Sequence, residues 1–227
     1  MPLPPDPFAT NQIFVGDHRV RDASELPNGV TVEYHDRSAG NRVTFAPNHT
    51  WRGLVVDLKS ATECTVEVGA IRVNFGGVRI SFVLNSGRCS SGVSVKLGDG
   101  SVFNGSTHII GPLTPGLAVS IGRNCLFASG VSVRGSSHHG LWDIETGTLL
   151  NREAGIEIGD HVWVGDQVLI LNKARIASGS VVGARSIVNK SFDEENVLLV
   201  GAPAAIRRRR IDWTNEFPRD NGAIPRS

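Results

Sequence analysis

Two adjacent histidines, His138 and His139, are the residues of this sequence whose type and position could do chemistry. They share the segment RGSSHHGLWDIETGTLLNREAG with two nearby acids, Asp143 and Glu145. An imidazole with an ordinary pKa of about 6.5 can take and return a proton near neutral pH, so histidine suits general acid–base catalysis. Neighbouring side chains of an extended segment point to opposite sides. We therefore expect only one of the two histidines to face a given site.

Two other interpretations of these histidines stay open at this point. Both could be ordinary solvent-facing residues of a loop. Alternatively, His138 and His139 could join His108 and His161 in supplying three imidazoles to a zinc ion. The sequence contains none of the HxxxH, HxH or CxxC spacings that typify zinc sites, and His161 is expected to face outward. We therefore expect no metal.

An apolar residue at every sixth position on both sides of this segment indicates the scaffold that carries it. Pro115 is the one exception, and the positions two residues earlier are nearly all small or β-branched. A fixed period of six predicts an all-β fold, the hexapeptide parallel β-helix, in which three flat faces make one coil of about eighteen residues. The sixth positions are Leu97, Phe103, Ile109, Pro115, Ile121, Phe127 and Val133, then Ile158, Val164, Ile170, Ile176, Val182 and Val188. The positions two residues earlier are Val95, Ser101, Thr107, Leu113, Val119, Cys125 and Val131, then Ile156, Val162, Val168, Ala174, Ser180 and Ser186.

The repeat is lost after Val133 and returns at Ile156, which predicts a protruding loop at about residues 135–155. Insertions in repeat arrays usually become loops on one face, and loops on a rigid scaffold often carry function. Glycines directly after several repeat positions indicate tight corners, where a side chain would be costly. They are Gly98, Gly116, Gly122, Gly159, Gly165 and Gly183.

The remainder of the chain lacks this strict register. Residues 1–41 are rich in Pro, Asp, Asn and Arg and are expected to form an irregular lead-in. Paired apolar residues over 43–84 predict short strands, and hence irregular early coils of a β-helix domain that spans 42–192. Residues 193–227 are expected to form a tail that covers the open end of the helix, with a short helix after Pro203.

The composition excludes several classes of protein. A chain of 227 residues can bury one sizeable core. Its net charge of +1 gives no general attraction to nucleic acid or anionic membranes, and its apolar runs are far shorter than a membrane span. The N-terminal residues lack the basic and apolar regions of a signal peptide. We therefore expect a cytoplasmic protein without a nucleic-acid partner or a membrane span.

Three cysteines, an odd number without paired spacing, are expected to be reduced thiols. They are Cys64, Cys89 and Cys125. Cys125 falls in the small-residue register and is expected to pack as a small buried hydrophobe. Cys89, in the segment GRCSSG, is a weaker alternative as a catalytic nucleophile.

The stretch that begins at Ile156 resembles the C-terminal signature of the left-handed β-helix, or hexapeptide-repeat, acyltransferases. IEIGDHVWVG matches the family pattern I-x-I-G-x-x-V-W-I-G, and GARSIVNK matches G-A-x-S-x-V-x-K. SSHHGLWDIETGTLLN resembles the histidine loop of the branch that acetylates sugars and polysaccharides. The resemblance is specific from about Ala118 to Arg208. It implies a left-handed coil, a homotrimer with active sites between neighbouring subunits, and transfer of an acetyl group from acetyl-CoA to a hydroxyl or amine.

The resemblance also implies a role for each residue that matches the family's motifs. The interval to Trp163 places His139 on the catalytic position, where it would take a proton from the acceptor hydroxyl as that hydroxyl attacks the thioester. The family's loop aspartate is Ser137 here, so Asp143 becomes the candidate that orients the imidazole. The N–H of Asp166 would stabilise the oxyanion.

Further contacts to the donor and the acceptor follow from the same resemblance. Trp163 would flank the acetyl end of acetyl-CoA. The other donor-binding candidates are Gly183 and Ala184 for the pantetheine arm, and Lys190, Arg207 and Arg208 for the phosphates. The acceptor-side candidates are Asn104, His138 and Trp142. Ordinary alternatives are that Trp163 caps a subunit interface, that Gly183 and Ala184 only turn a corner, and that the cations are solvated.

Three functions therefore remain at the level of the sequence. The favoured one is an acetyl-CoA-dependent O-acetyltransferase that acts on a hydroxyl of a sugar or polysaccharide precursor. The alternatives are a β-helix zinc enzyme of the carbonic anhydrase type and a non-catalytic scaffold or glycan-binding module. A nucleotidyltransferase is excluded because it would need a large N-terminal nucleotide domain.

Overall fold

Short strands, each paired in parallel with a strand of the next coil, make up most of the chain in the computed structural model. The structure describes residues 7–35, 38–49, 51–82, 84–85 and 88–216. The elements of the N-terminal part are α1 (Pro7–Thr10), β1 (Gln12–Val15), β2 (His18–Val20), a 3-10 turn (Ala23–Glu25), β3 (Val30–Glu33), β4 (Arg42–Phe45), β5 (Leu54–Asp57), β6 (Ala61–Thr62), β7 (Thr65–Val68), β8 (Arg72–Val73), β9 (Val78–Ser81), β10 (Leu84–Asn85) and β11 (Arg88–Ser91).

The second half of the chain continues the same pattern. Its elements are β12 (Ser94–Leu97), β13 (Val102–Phe103), β14 (Thr107–Ile110), β15 (Ala118–Ile121), β16 (Leu126–Phe127), β17 (Val131–Arg134), β18 (Ile156–Ile158), β19 (Trp163–Val164), β20 (Leu169–Leu171), β21 (Arg175–Ile176), β22 (Val181–Val182), β23 (Ile187–Val188), β24 (Ser191–Phe192), β25 (Val197–Gly201) and β26 (Ala204–Arg209). No helical segment in the described part of the chain has the length and hydropathy that crossing a bilayer requires.

Besides a small three-stranded sheet, the described strands form three long sheets, one for each face of the coil. The first sheet has nine strands in the order β2-β1-β4-β7-β12-β15-β18-β21-β24. The second and third sheets have seven strands each, in the orders β8-β13-β16-β19-β22-β25-β26 and β3-β5-β9-β14-β17-β20-β23. Successive coils pair in parallel. In the described chain, antiparallel pairing occurs in the hairpins β1–β2, β10–β11 and β25–β26 and in one isolated bridge between Trp142 and Leu149. This topology confirms the predicted parallel β-helix.

The core lies inside the coil, where the side chains of successive coils stack in line. The predicted repeat positions are buried, apart from those in one turn. Phe103 stacks on Phe127 with ring centroids 4.8 Å apart. The buried serine hydroxyls of the small register bind the backbone, as where Ser101 Oγ accepts from the Cys125 N–H at 3.1 Å. The inward ladders that the period predicted are therefore present.

The buried cysteines behave as core residues. Burial raises the pKa of the Cys125 thiol to about 11, and its Sγ donates to the carbonyl of Gly159 at 3.2 Å. Burial also raises the pKa of Cys64. A protonated, buried thiol is a poor nucleophile, so Cys125 fits the predicted packing role.

One stretch of the predicted register is wrong. Leu113 and Pro115 lie in the turn 111–117 instead of on a face, and Pro115 is exposed. Late coils hold eighteen residues, as from Trp163 to its partner Val181, but Val102 pairs with Leu126, twenty-four residues later. The additional six residues form a corner loop, because three flat faces already close the coil.

The N-terminal stretch is more regular than its sequence suggested. Strands β1 and β3 lie within the first and third sheets, so coils begin inside the expected irregular lead-in. Val43, Val66 and Val95 are consecutive partners in the first sheet, although they are separated by unequal lengths of chain. The early coils therefore align in space because loops absorb the additional residues.

The helix expected after Pro203 is not formed. Ala204–Arg209 is strand β26, which pairs antiparallel with β25 at the edge of the second sheet. An open sheet edge needs a partner, and this requirement outweighs the helical propensity of the short AAIRR segment. The exposed arginines 207–210 then discourage pairing with a further strand. The part of the tail at 217–227, and residues 1–6 of the lead-in, lie outside the described residues.

The long insertions leave the coil at one corner, between the third and first sheets. We call residues 58–64, 88–93, 111–117 and 135–155 the loop corner. They bond to one another from coil to coil, as where the Ser90 N–H donates to Ser60 O at 3.0 Å and the Gly116 N–H donates to Gly92 O at 2.9 Å. Residues 135–155 form the predicted protruding loop between β17 and β18.

Glycines stack where the first sheet turns into the second. A Cβ on Gly98 would lie 2.5 Å from the backbone of Gly122, and a Cβ on Gly122 would lie 2.5 Å from the backbone of Gly159. Real Cβ atoms do not tolerate such distances, so the coil can stay this narrow only without side chains at these positions.

We expect Gly122→Ala to lower the free energy of unfolding by about 1–3 kcal/mol, because its methyl group overpacks the backbone of the next coil. The control is Ser120→Ala, on the outer side of the same strand, which should change the free energy by less than about 0.5 kcal/mol. Urea denaturation followed by circular dichroism measures both. Equal stabilities of the two variants would contradict the close approach.

Candidate active site

Asn151 fixes the histidine-bearing part of the loop. Its Nδ2 donates to Ser137 Oγ at 2.8 Å and to His139 O at 2.7 Å, and its Oδ1 accepts from the Leu141 N–H at 2.7 Å. One side chain thus binds the Ser137 hydroxyl before His139 and the backbone of His139 and Leu141. Nothing in the sequence around Asn151 indicates this role, because Asn151 lies at the far end of the loop from the residues that it binds.

The two histidines face different environments, although the segment bends at His138 and is not extended there. His138 has a left-handed backbone with φ of +66°, is half-buried, and donates its N–H to Ser136 Oγ at 3.0 Å. Burial lowers the pKa of His138, with a further contribution from the charge of Arg134. The side chain of His139 is exposed. His139 is therefore the more accessible of the two to a molecule outside this chain.

Asp143 shapes the tip of the loop. Its Oδ1 accepts from the N–H groups of Glu145 and Thr146 at 2.9 and 2.8 Å, and its own N–H donates to Thr148 O at 2.9 Å. Backbone hydrogen bonding, first of all from Thr146, lowers the pKa of Asp143. Among the described hydrogen bonds, none joins Asp143 to His139. Asp143 thus forms a turn in this chain, and its role in orienting the imidazole stays a prediction.

The base of the loop rests on the turn that broke the repeat. Glu153 Oε2 accepts from the N–H groups of Leu113 and Thr114 at 3.0 and 2.8 Å. The corner loop around Pro115 therefore supports the histidine loop. Sequence reasoning missed Glu153 because its partners lie about forty residues earlier in the chain.

The outer surface of the loop is unusually apolar. Ile144 is 98% exposed and Trp142 is 58% exposed, and Leu141 and Leu150 are also exposed. Contiguous exposed apolar side chains typically mark a contact surface. Trp142, predicted to contact the acceptor, thus belongs to a surface that is open in a single chain.

Three of the seven predicted donor-binding residues lie together at another corner, where the second sheet turns into the third. We call residues 74–77, 104–106, 128–130, 165–168 and 183–186 the tight corner. Asp166 Oδ1 accepts from the Ser129 N–H at 3.0 Å, and Asp166 O accepts from the Arg185 N–H at 2.8 Å. A Cβ on Gly165 would lie 2.8 Å from Ala184 N, so these turns stack closely. The structure therefore brings Asp166, Gly183 and Ala184 together, with Asn104 on the same column.

Trp163 projects from β19 beside this corner and is 39% exposed. Its ring centroid lies 6.1 Å from that of Trp213, which stacks on His161 at 4.3 Å. Trp213 Nε1 also donates to His161 O at 2.9 Å. The sequence did not predict Trp213, which returns from the C-terminal segment to cover the coil that carries Trp163.

The predicted phosphate-binding cations lie at the C-terminal end of the coil. Arg207 and Arg208 are exposed on β26, and Lys190 Nζ lies 5.4 Å from the ring centroid of Phe192. Within the described residues, no ion pair engages these three cations. Arg209, by contrast, is paired with Glu194 at 2.9 Å.

The third sheet separates His139 from the donor-binding candidates within one chain. Each strand crosses the sheet from the tight corner to the loop corner, as β20 does between Asp166 and the loop side. At about 3.3 Å per residue, a crossing of four or five residues separates the corners by roughly 15 Å. A single chain thus places its base candidate and its thioester site on opposite edges of one face.

The four histidine candidates for zinc do not converge, because His108 and His161 lie on other elements than the adjacent pair His138 and His139. His108 lies on the outer side of β14, where its Nε2 bonds Ser81 Oγ at 2.5 Å, and His161 is stacked on Trp213. Across the described ranges, no three His, Cys, Asp or Glu side chains cluster as metal ligands. The zinc interpretation therefore has no ligand set in this part of the chain.

Comparison with known proteins relates the chain to sugar-modifying enzymes. It is 38% identical over 53 residues to a polysialic acid O-acetyltransferase of Neisseria meningitidis, a match that covers 23% of this chain and 25% of the relative. It is 30% identical over 95 residues to a galactoside O-acetyltransferase of Lactococcus lactis, covering 41% of this chain and 44% of the relative. The chain thus spans less than half the length of these curated relatives. No protein-family model matches the sequence.

The fold likeness extends over nearly the whole chain. The crystal structure of the polysialic acid O-acetyltransferase OatWY superposes with a TM-score of 0.60, at 21% identity, over 92% of this chain and 90% of that one. At this identity the superposition establishes the shared fold.

The environment of His138 predicts that the stability of the folded chain depends on pH. Because its pKa is lowered in the folded chain, the unfolded chain binds the additional proton more readily. The neutral form thus contributes stability above a pH of about 6.5, and this contribution is lost as the pH falls toward the lowered value. Imidazole NMR titration should give a midpoint below about 6.5 for His138. His138→Gln should also flatten the loss of stability between pH 7 and pH 5. A midpoint at or above the ordinary value would contradict the described burial.

Proposed function

Because this chain is related in sequence and in fold to hexapeptide-repeat acetyltransferases, we propose that it transfers an acetyl group from acetyl-CoA to a hydroxyl of a sugar or polysaccharide precursor. The observation that carries the proposal is an anchored, histidine-bearing loop on a β-helix whose sequence matches sugar O-acetyltransferases. The structure of the site supports a division of labour between its two corners.

In the proposed reaction, His139 Nε2 or Nδ1 takes the proton of the acceptor hydroxyl as the oxygen attacks the thioester carbonyl. The tetrahedral intermediate collapses to the acetyl ester and expels the CoA thiolate, a leaving group with a pKa near 8.5 that needs little help. The proton on the imidazole then passes to the thiolate. Asn151 is a positioning residue, because it holds the carbonyl of His139.

The tight corner is the proposed donor site. The N–H groups of Gly165 and Gln167 are bound to Val182 O and Ser129 O, whereas in the described hydrogen bonds the Asp166 N–H has no acceptor. It is therefore available to stabilise the oxyanion. Trp163 would flank the acetyl group, and Gly183 and Ala184 would leave room for the pantetheine arm. Lys190, Arg207 and Arg208 would meet the CoA phosphates at the C-terminal end.

The proposed assembly is a homotrimer whose sites lie between neighbouring copies. Within one chain, roughly a strand length separates His139 from Trp163 and Asp166. The exposed apolar surface of the loop, with Trp142 and Ile144, offers a contact for the tight corner of a second copy. Such a contact would place the imidazole beside the thioester, with Trp142, His138 and Asn104 near the acceptor.

His139→Ala should reduce kcat by about 10²–10⁴ while acetyl-CoA binding is retained, because only proton transfer is removed. His138→Ala serves as the matched control and should affect KM for the acceptor more than kcat. The measurement is thiol release from acetyl-CoA with a panel of sugars. Turnover by His139→Ala at the wild-type rate would remove His139 as the base.

Mixing two inactive variants tests the shared site. His139→Ala removes the loop function and Ala184→Trp blocks the donor corner. If each site combines one copy's loop with another's corner, randomly mixed assemblies regain about a quarter of the wild-type activity. Refolding each variant alone is the control. Complete inactivity of the mixture would show that both parts act within one chain.

A further inference from the structure

A groove continues the tight corner beyond the proposed donor site, toward the N-terminal coils. It has a volume of about 620 Å³ and is lined by His49, Arg52, Arg72, Val73, Asn74 and Phe75. We propose that this groove binds an acidic carbohydrate, with a carboxylate on Arg52 and Arg72 and a sugar ring against Phe75. The inference rests on the proposed function and gives its acceptor a chemical class.

The position of the groove connects it to the site. Asn74 Nδ2 donates to Asn104 Oδ1 at 2.6 Å, and the Asn74 N–H donates to Phe103 O at 2.9 Å. The groove thus begins one coil away from Asn104, the acceptor-side candidate. Neighbouring coils lie about 4.8 Å apart, so Phe75 stands roughly 15 Å from Asp166 along the corner. An extended carbohydrate chain could reach from one to the other.

Phe75 is the reason to expect a ring-shaped ligand. Its side chain is 74% exposed, although the neighbouring Val73 is buried. A flat aromatic side chain at a groove can pack against the C–H face of a sugar ring. That face is apolar, so the contact needs no charge on either group. His49, which also lines the groove, is fixed, since its ring bonds Ile71 O and packs edge-on against Trp51 at 4.9 Å.

The positive charges of the two arginines in the groove favour an acidic ligand. Arg52 and Arg72 are exposed, and no described ion pair neutralises either of them. By contrast, Arg79 on the adjoining face is bound to Glu33 and Asp57 at 3.1 and 2.8 Å. A guanidinium without an acid partner binds carboxylates in a fork geometry that a neutral sugar cannot match. The groove therefore favours a carboxylate-bearing sugar over a neutral one.

The test measures binding independently of catalysis. Isothermal titration calorimetry of the full chain uses oligosialic acid, oligogalacturonate and a neutral malto-oligosaccharide of similar length. We expect an acidic oligosaccharide to bind more tightly than the neutral one, and more weakly at high salt. Arg72→Gln and Phe75→Ala should each raise its Kd by about tenfold. Lys96→Gln, which removes one charge from the first sheet, should leave Kd unchanged.

Several outcomes would overturn the inference. They are no binding of either acidic oligosaccharide, equal effects of Arg72→Gln and Lys96→Gln, or dissociation of an oligomer by Phe75→Ala in sedimentation velocity. The last result would mean that the ring contacts a second copy. Thermal unfolding of each variant confirms that it is folded.

Acetyl transfer by the same variants separates this inference from the proposed function. If the protein acetylates neutral sugars, and Arg52→Gln and Arg72→Gln leave that rate unchanged, the proposal of an acidic acceptor is overturned and the acetyltransferase function is retained. Arg72-dependent binding of an acidic oligosaccharide by a protein that transfers no acetyl group would do the reverse.

Discussion

Parallel pairing between successive coils is the constraint on which the rest of this structure depends. Each coil bonds its backbone to the coils on both sides, and its inward side chains stack on theirs. The ladder Val43, Val66, Val95, Val119 and Ile156 shows that register is kept across insertions of very different length. Because three faces complete a coil, any additional residues must form a loop at a corner. The loops are therefore a product of the same pairing that builds the core.

That constraint explains how a flexible-looking segment is held in place. The histidine loop is the longest excursion from the loop corner, yet it begins and ends on paired strands, β17 and β18. Glu153 ties its base to the preceding excursion, and Asn151 ties its middle to its end. Three layers thus support His139: the coil, the neighbouring turn and the loop's own cross-bonds. The backbone of the proposed base is thus held in place by contacts within the chain, which is what preorganised proton transfer requires.

The sequence predicted the coil because apolar inward positions recur every six residues. Three such repeats make one coil, so Val164 and Val182, which are one coil apart, are expected on the same face. A period does not distinguish a face from a corner loop of the same length, which is why Pro115 was placed on a face. Nor does local propensity reveal that β25, at the edge of the second sheet, needed a pairing partner. That requirement makes Ala204–Arg209 a strand and not a helix. The contacts of Glu153 and Trp213 span long stretches of chain. They follow from the fold and have no signature in the sequence around them.

Two hairpins reverse the polarity of the chain at the ends of the coil. β2 runs antiparallel at the outer edge of the first sheet, and β26 does so at the outer edge of the second. A solenoid built from identical parallel rungs could otherwise accept another molecule's rung and grow into a filament. At these two edges an incoming parallel strand would meet a strand of antiparallel direction. At the β26 edge it would also meet the exposed arginines 207–210. At each end the reversed strand closes the edge of one of the three long sheets, and at that edge it disfavours the addition of a further parallel strand.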